Sequence, residues 1–199
     1  MGVLGGTFDP PHLGHLIVAC EALWQLSLDE VRLVPAGRPP HKDDPAVAPA
    51  ARRASWLQRA VAGRPGLVVS LLELDRDGPS YTADTLEAMA AAEPGVALWF
   101  ILGADQLAEF PSWRSPERIL AAARLAVVAR GDVAQRDLDV LAQGVAPGRA
   151  DILAVPVIGI SSSMIRERIA AGRPAGHLVP PEVEQALIAE GLVPSPDRH

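Results

Sequence analysis

A single cysteine and a single lysine, the latter among 18 basic residues, set the first limits on this 199-residue chain. Cys20 has no partner for an internal disulfide, which fits a reducing compartment. No apolar run approaches the roughly 18 residues of a membrane-spanning helix, and no basic segment followed by an apolar stretch opens the sequence as a secretion signal would. These absences predict a cytoplasmic protein with no membrane partner. With 24 acidic against 18 basic residues the net charge is −6, so no broad nucleic-acid footprint is expected. Self-association is left open. Neither the Walker pattern G-x-x-x-x-G-K-[ST] nor the dinucleotide pattern G-x-G-x-x-G occurs, so any phosphate-binding turn must be of another kind.

What the chain has is a substantial apolar fraction, 49%, enough to fill a core without staples. No internal repeat or low-complexity tract divides it. The expectation is one domain over 1–199, with a helical portion near 160–193. Apolar runs at VLGG (3–6), VRLVP (31–35), LVVSLLEL (67–74), ALWFILG (97–103), RLAVVAR (124–130) and ILAVPVI (152–158) predict strands. Helical spacing predicts helices over 16–26, 51–62, 82–92, 104–108 and 116–122, from 162 to a stop at Gly172, and in PPEVEQALIAEG. Residues 131–150 read as helix then loop, and PSPDRH as a frayed tail. In the first helix Leu16, Ala19, Cys20, Leu23 and Leu26 form the predicted inner stripe, and Trp24, Trp56 and Trp99 are assigned to the core. Ser80 or Thr82 is the expected cap of the 82–92 helix.

Strands alternating with helices predict an α/β fold: a Rossmann-like, doubly wound, mostly parallel sheet flanked by helices. In such sheets ligands bind beyond the carboxyl ends of the strands. The polar motifs fall there. GGTFDPPHLGHL follows the first strand, GRPPHK the second, GADQL the run ALWFILG, and ISSSMIR the last strand. Gly5 and Gly6 allow backbone to approach a ligand, and the next helix start offers unpaired N–H groups to an anion. His12 and His15 share a side of that helix and can donate to phosphate oxygens; His41 lies in the second motif. Ser161, Ser162 and Ser163 read as a helix cap, with Arg166 placed to clamp terminal phosphates. Lys42, the one position that stays lysine in an arginine-rich chain, is a candidate point charge; the alternative is a solvated loop lysine. Asp9 reads as turn chemistry. A zinc site at H-x-x-H lacks a supporting Cys pair or H-E-x-x-H helix.

GGTFDPPHLGH together with ISSSMIR resembles the nucleotidyltransferase superfamily. PPHK, SYTADTL, FILGADQL, PSW and the closing V-x-x-x-I-x-x-x-G-L are similar to bacterial nicotinate-nucleotide adenylyltransferases. The resemblance covers nearly the whole chain. Ser163 stands where threonine is usual, and Arg114 follows Trp113 where an aromatic is common. It implies transfer of AMP from ATP to nicotinate mononucleotide, giving deamido-NAD and pyrophosphate in NAD biosynthesis, by direct in-line attack of the substrate phosphate. ATP and nicotinate mononucleotide are then the partners, and Mg²⁺ the cofactor, carried by the substrate phosphates with no metal site of the protein's own. His12, His15, Arg166 and Lys42 are the implied catalytic groups. Gly5, Gly6, Thr7, Phe8, Gly103, Asp105, Ile160, Ser161, Ser162 and Ser163 would line ATP, and Tyr81, Thr82 and Trp113 the mononucleotide. Two alternatives remain: a pantetheine-phosphate adenylyltransferase, a family usually shorter and tending to threonine at the place of His12, and a non-catalytic nucleotide sensor on the same fold.

Overall fold

The computed structural model describes residues 1–38, 47–129 and 135–193. Six strands form one parallel sheet in the order β3-β2-β1-β4-β5-β6: β1 (Gly2–Gly6), β2 (Val31–Pro35), β3 (Leu67–Val69), β4 (Trp99–Gly103), β5 (Arg124–Ala129) and β6 (Ala150–Ala154). The chain winds outward from β1 to β3, then returns to place β4 on the other side of β1. That reversal decides where the site lies. β1 is in register with β2 along its whole length, Gly2↔Val31 to Gly6↔Pro35, but with β4 only at Gly2↔Trp99 and Val3↔Phe100. Beyond Val3 the two central strands part, and a crevice opens at their carboxyl ends.

Because strand side chains alternate, the sheet has two unlike apolar faces. The Leu4 face, with Leu33, Ile101, Val128 and Leu153, packs against α1 (Leu13–Gln25), α2 (Ala50–Val61), α7 (Ser162–Ala170) and α8 (Pro181–Ala189). The Val3 face, with Val34, Phe100, Leu102 and Val127, packs against α3 (Thr82–Ala92), α4 (Ala104–Glu109), α5 (Pro116–Ala122) and α6 (Gln135–Val145).

Several expectations need correction. Cys20 is exposed, and so is Trp24, at 78%. The inner stripe of α1 is centred on Gly14, Val18, Ala19 and Ala22, the two alanines fully buried; small residues there let the helix sit close to the sheet. Cys20 and Trp24, one turn apart, fall on its outer edge. Trp56 is buried as expected, while Trp99 is half-buried and donates its indole N–H to Asp151 Oδ2 at 2.9 Å. The third strand stops at Val69, where Ser70 N–H donates to Leu33 O and a turn follows at Leu71. The sixth begins at Ala150 and ends at Ala154, two residues before Pro156, which lacks a ladder N–H. Neither Ser80 nor Thr82 caps α3; Tyr81 occupies the cap position with no side-chain hydrogen bond. Gly172, at φ 65°, ends α7 in the left-handed conformation expected of it. The expected tail at 194–199 lies outside the described residues.

Candidate active site

The turn after β1 is held under tension. Phe8 has φ 52°, an unusual conformation for a residue with a Cβ, and its ring is buried at 1% exposure. The ring covers Gly6 and meets the His15 imidazole edge-on, centroids 4.8 Å apart. Phe8 is therefore a prop beneath the histidine, and only its backbone remains for a ligand. Ring stacking joins His12 to His15 at 3.7 Å. The His12 N–H donates to His15 Nδ1 at 3.1 Å, so the proton of a neutral His15 sits on Nε2. Gly14 leaves the room that the His12 ring occupies, since a Cβ there would come within 3.0 Å of it.

The last motif docks on this same turn. Ser161 caps α7, accepting from Met164 N–H at 3.2 Å. Ser162 Oγ donates to Pro10 O at 2.9 Å. Arg166 donates to Asp9 O at 2.9 Å and to Ser163 Oγ at 3.3 Å, and lies 3.7 Å from the Asp9 carboxylate. These bonds bring the start of α7 against the start of α1. Between them lies a cleft on the Leu4 face, lined by Leu4, His12, His15, Val128, Ile158 and Ile160 among others. Gly5 is exposed, Gly6 and Thr7 half-buried.

The electrostatics of the helix ends agree. α1, α2 and α7 carry no acidic residue in their first turns. Their partial positive charge is left for an anion rather than neutralised by a side chain. Gly103 stands at the start of α4, its N–H donating to Gln106 Oε1 at 3.0 Å, with Asp105 exposed in the first turn.

A second, smaller pocket opens on the Val3 face, lined by Val3, Gly5, Val34, Glu73, Thr82, Thr85, Leu86 and Phe100. Buried Thr85 donates to Glu73 Oε1 at 2.7 Å and accepts from Arg76 at 3.1 Å. Half-buried Trp113 meets Phe100 and Phe110, centroids 6.0 and 5.5 Å away. Gly5 belongs to this pocket and its neighbour Leu4 to the other, so the two cavities approach the end of β1 from opposite faces of the sheet. His41 and Lys42 lie outside the described residues.

The cytidylyltransferase-like family model matches residues 3–168. A probable nicotinate-nucleotide adenylyltransferase of Roseiflexus sp. is 43% identical over 195 residues, covering 96% of each chain. Another, from Halalkalibacterium halodurans, is 37% identical and covers 96% of this chain and 90% of its own. The chain belongs to the nicotinate-nucleotide adenylyltransferase family. Its fold is also that of a Plasmodium falciparum nicotinic acid mononucleotide adenylyltransferase solved with NaAD, at TM-score 0.77 and 17% identity over 96% of this chain and 95% of that one.

In this family member one residue of the site region escaped the sequence reading. Arg53 is 1% exposed. Its guanidinium donates to Thr7 O and Ala36 O at 2.6 Å each and to Ala48 O at 2.9 Å. It thus ties the turn after β1 to the turn after β2 and to the chain entering α2. Burial lowers its pKa, partly offset by the charge of Asp9, itself buried and accepting from Ala48 N–H at 3.4 Å. The available signal was position: Arg53 shares the inner face of α2 with Ala54, Leu57, Ala60 and Val61, where an arginine is out of place unless its donors are used. Ser80 is likewise a tie rather than a cap, accepting from Gly37 N–H at 3.1 Å. Among the described residues no group of three or more His, Cys, Asp or Glu side chains could hold a metal, and no helix is long and apolar enough to cross a membrane.

Proposed function

We propose that this chain transfers AMP from ATP to nicotinate mononucleotide, releasing pyrophosphate and forming deamido-NAD. The observation that supports the reading is the pair of cavities approaching the end of β1 from opposite faces, with the stacked histidine pair lining the one on the Leu4 face. Two substrates held this way can meet at one phosphorus.

The nucleophile is an oxygen of the mononucleotide phosphate, already ionised near neutral pH. It attacks the α-phosphorus of ATP; the new P–O bond forms as the bond to pyrophosphate breaks. No protein base or covalent intermediate is required. The protein's task is alignment and stabilisation of charge. His12 and His15 donate to the reacting phosphates, with His15 Nε2 the principal donor. Arg166, whose bonds to Asp9 and Ser163 leave further N–H groups, takes the departing pyrophosphate, aided by the start of α7. Lys42 is a further candidate cation for the same phosphates. Gly5, Gly6, Thr7 and the backbone of Phe8 run beside the nucleotide, Ile160 with Ser161 to Ser163 faces the adenine, and Gly103 and Asp105 serve the ribose. On the other side Trp113 stacks on the pyridine ring, flanked by Tyr81 and Thr82.

Imidazole N–H groups, a guanidinium and helix starts suit phosphate oxygens, not a cation, so Mg²⁺ would be held by the substrate's own oxygens. When bound it neutralises phosphate charge. The same reading takes residues 1–199 as one nucleotidyltransferase domain, with 160–193 its helical portion, working in the cytoplasm on small-molecule partners.

The test is direct: incubate the full chain with ATP, Mg²⁺ and one acceptor at a time, and follow pyrophosphate. Release with nicotinate mononucleotide is expected. Release only with 4′-phosphopantetheine would replace the acceptor, and ATP binding without turnover on any acceptor would make the protein a sensor.

A further inference from the structure

Two arginines beside α3 stand in opposite circumstances. Arg118, in α5, is fully engaged: it donates to Asp84 at 2.9 Å and to both carboxylate oxygens of Glu87, pinning α5 to α3. Arg114 has no hydrogen-bond or carboxylate partner among the described residues. Its guanidinium carbon instead lies 4.2 Å from the centroid of the Tyr81 ring. Stacking on an aromatic face fixes a guanidinium while leaving its edge N–H groups unspent. Arg114 is exposed, so its unused donors are open to an anionic ligand brought to this side of the sheet.

Its surroundings say which anion. Arg114 follows Trp113, which packs on Phe100, a wall of the pocket; Tyr81 precedes Thr82, another wall. Nicotinate mononucleotide carries two anionic groups. Its phosphate must reach the histidines beyond Gly5, so the group remaining at the tryptophan end is the pyridine carboxylate.

We infer that Arg114 is a specificity-determining residue, its guanidinium meeting the pyridine carboxylate of nicotinate mononucleotide and setting the preference for the acid over its carboxamide analogue. The inference rests on the adenylyl-transfer reading. A charge-assisted bidentate contact distinguishes carboxylate from carboxamide because the neutral amide offers one acceptor oxygen and a clashing NH₂ donor.

The experiment measures kcat/KM for nicotinate mononucleotide and for nicotinamide mononucleotide, with saturating ATP and Mg²⁺, in the wild-type chain, Arg114→Gln and Arg114→Lys. Arg114→Gln should lower the acid-to-amide ratio about tenfold, through KM of the acid, with kcat and the KM of ATP unmoved. Arg114→Lys should recover part of the ratio, since it keeps the charge but not the flat stacked fork. A ratio within twofold of wild type in Arg114→Gln, or equal losses on both mononucleotides, overturns the assignment while leaving adenylyl transfer intact. A wild-type chain that releases no pyrophosphate with either mononucleotide removes the transfer reading, and this assignment with it.

Discussion

The helices around the Leu4-face cleft and those on the Val3 face differ in the charge of their first turns. On the Val3 face every helix, α3 to α6, has an acidic residue in its first turn: Asp84, Asp105, Glu117 and Asp137. On the Leu4 face α1, α2 and α7, the helices around the cleft, have none, whereas α8 carries Glu182 and Glu184. An acid in the first turn offsets the helix dipole and stabilises the helix by itself. Omitting it forgoes a few tenths of a kcal/mol per helix and leaves a positive end for a ligand to neutralise. The cavities follow suit. The Leu4-face cleft takes its polar side chains, His12 and His15, from the start of α1, with apolar Ile158 and Ile160 of the turn into α7 completing it. The Val3-face pocket draws two residues from β1, three from the start of α3 and one each from β2, β4 and the turn after β3. The side proposed for phosphate is thus local, whereas the side proposed for the ring is assembled from distant parts.

The largest expected effect tests the brace beneath the phosphate side. Arg53→Met should cost about 3–5 kcal/mol of stability, because it unpairs the buried carbonyls of Thr7, Ala36 and Ala48 at once. Thermal unfolding reads the loss. Amide hydrogen exchange locates it, with protection falling at residues 7–15 before 99–113; uniform loss over both faces would erase the distinction drawn here. Next, His15→Ala should lower kcat about a hundredfold or more, as removal of an oxyanion-type donor does, and near-normal turnover would count heavily against the histidine's role. Smaller still, Trp113→Ala should raise KM for the mononucleotide roughly fivefold while leaving KM for ATP alone; equal effects on both would take Trp113 out of the pyridine side.

The smallest prediction is a control remote from both cavities. Asp151, at the amino end of β6, is held below the ordinary carboxylate range by Arg124, 2.9 Å away, and by the Trp99 indole. A depressed folded pKa means stability that is present above the unfolded value near 4 and lost as pH falls through the folded one. Asp151→Asn should therefore remove no more than about 1 kcal/mol at pH 7, given its partial exposure. It should also flatten acid unfolding below pH 4, with substrate KM values unchanged.

Much of this was legible in the chain. Apolar runs and period-3.6 spacing located the described strands and helices, although the runs at 67–74 and 152–158 overshot the ends of β3 and β6 by five and four residues. The motifs at 5–16 and 160–166 pointed to anion chemistry for a similar reason: glycines, helix starts and nearby histidines act over a turn or two of chain. Errors arose where a choice depended on neighbours. Periodicity gave α1 an inner stripe but not its centre, so Cys20 and Trp24 were turned inward on paper and outward in the fold. Phe8 looked like a ligand contact and is a buried prop.

Local order, then, was written in residue spacing: the alternation of strands and helices, the parallel sheet, and the two phosphate-type turns. Only the tertiary structure decided that Arg53 would spend its donors on three separate segments, that α7 would dock on the turn after β1, and that Arg114 would rest unspent on Tyr81. The physical reason is range. Backbone preference and capping act between residues a few positions apart, whereas burial, desolvation and the pairing of a buried charge depend on which distant segments the packed core brings together.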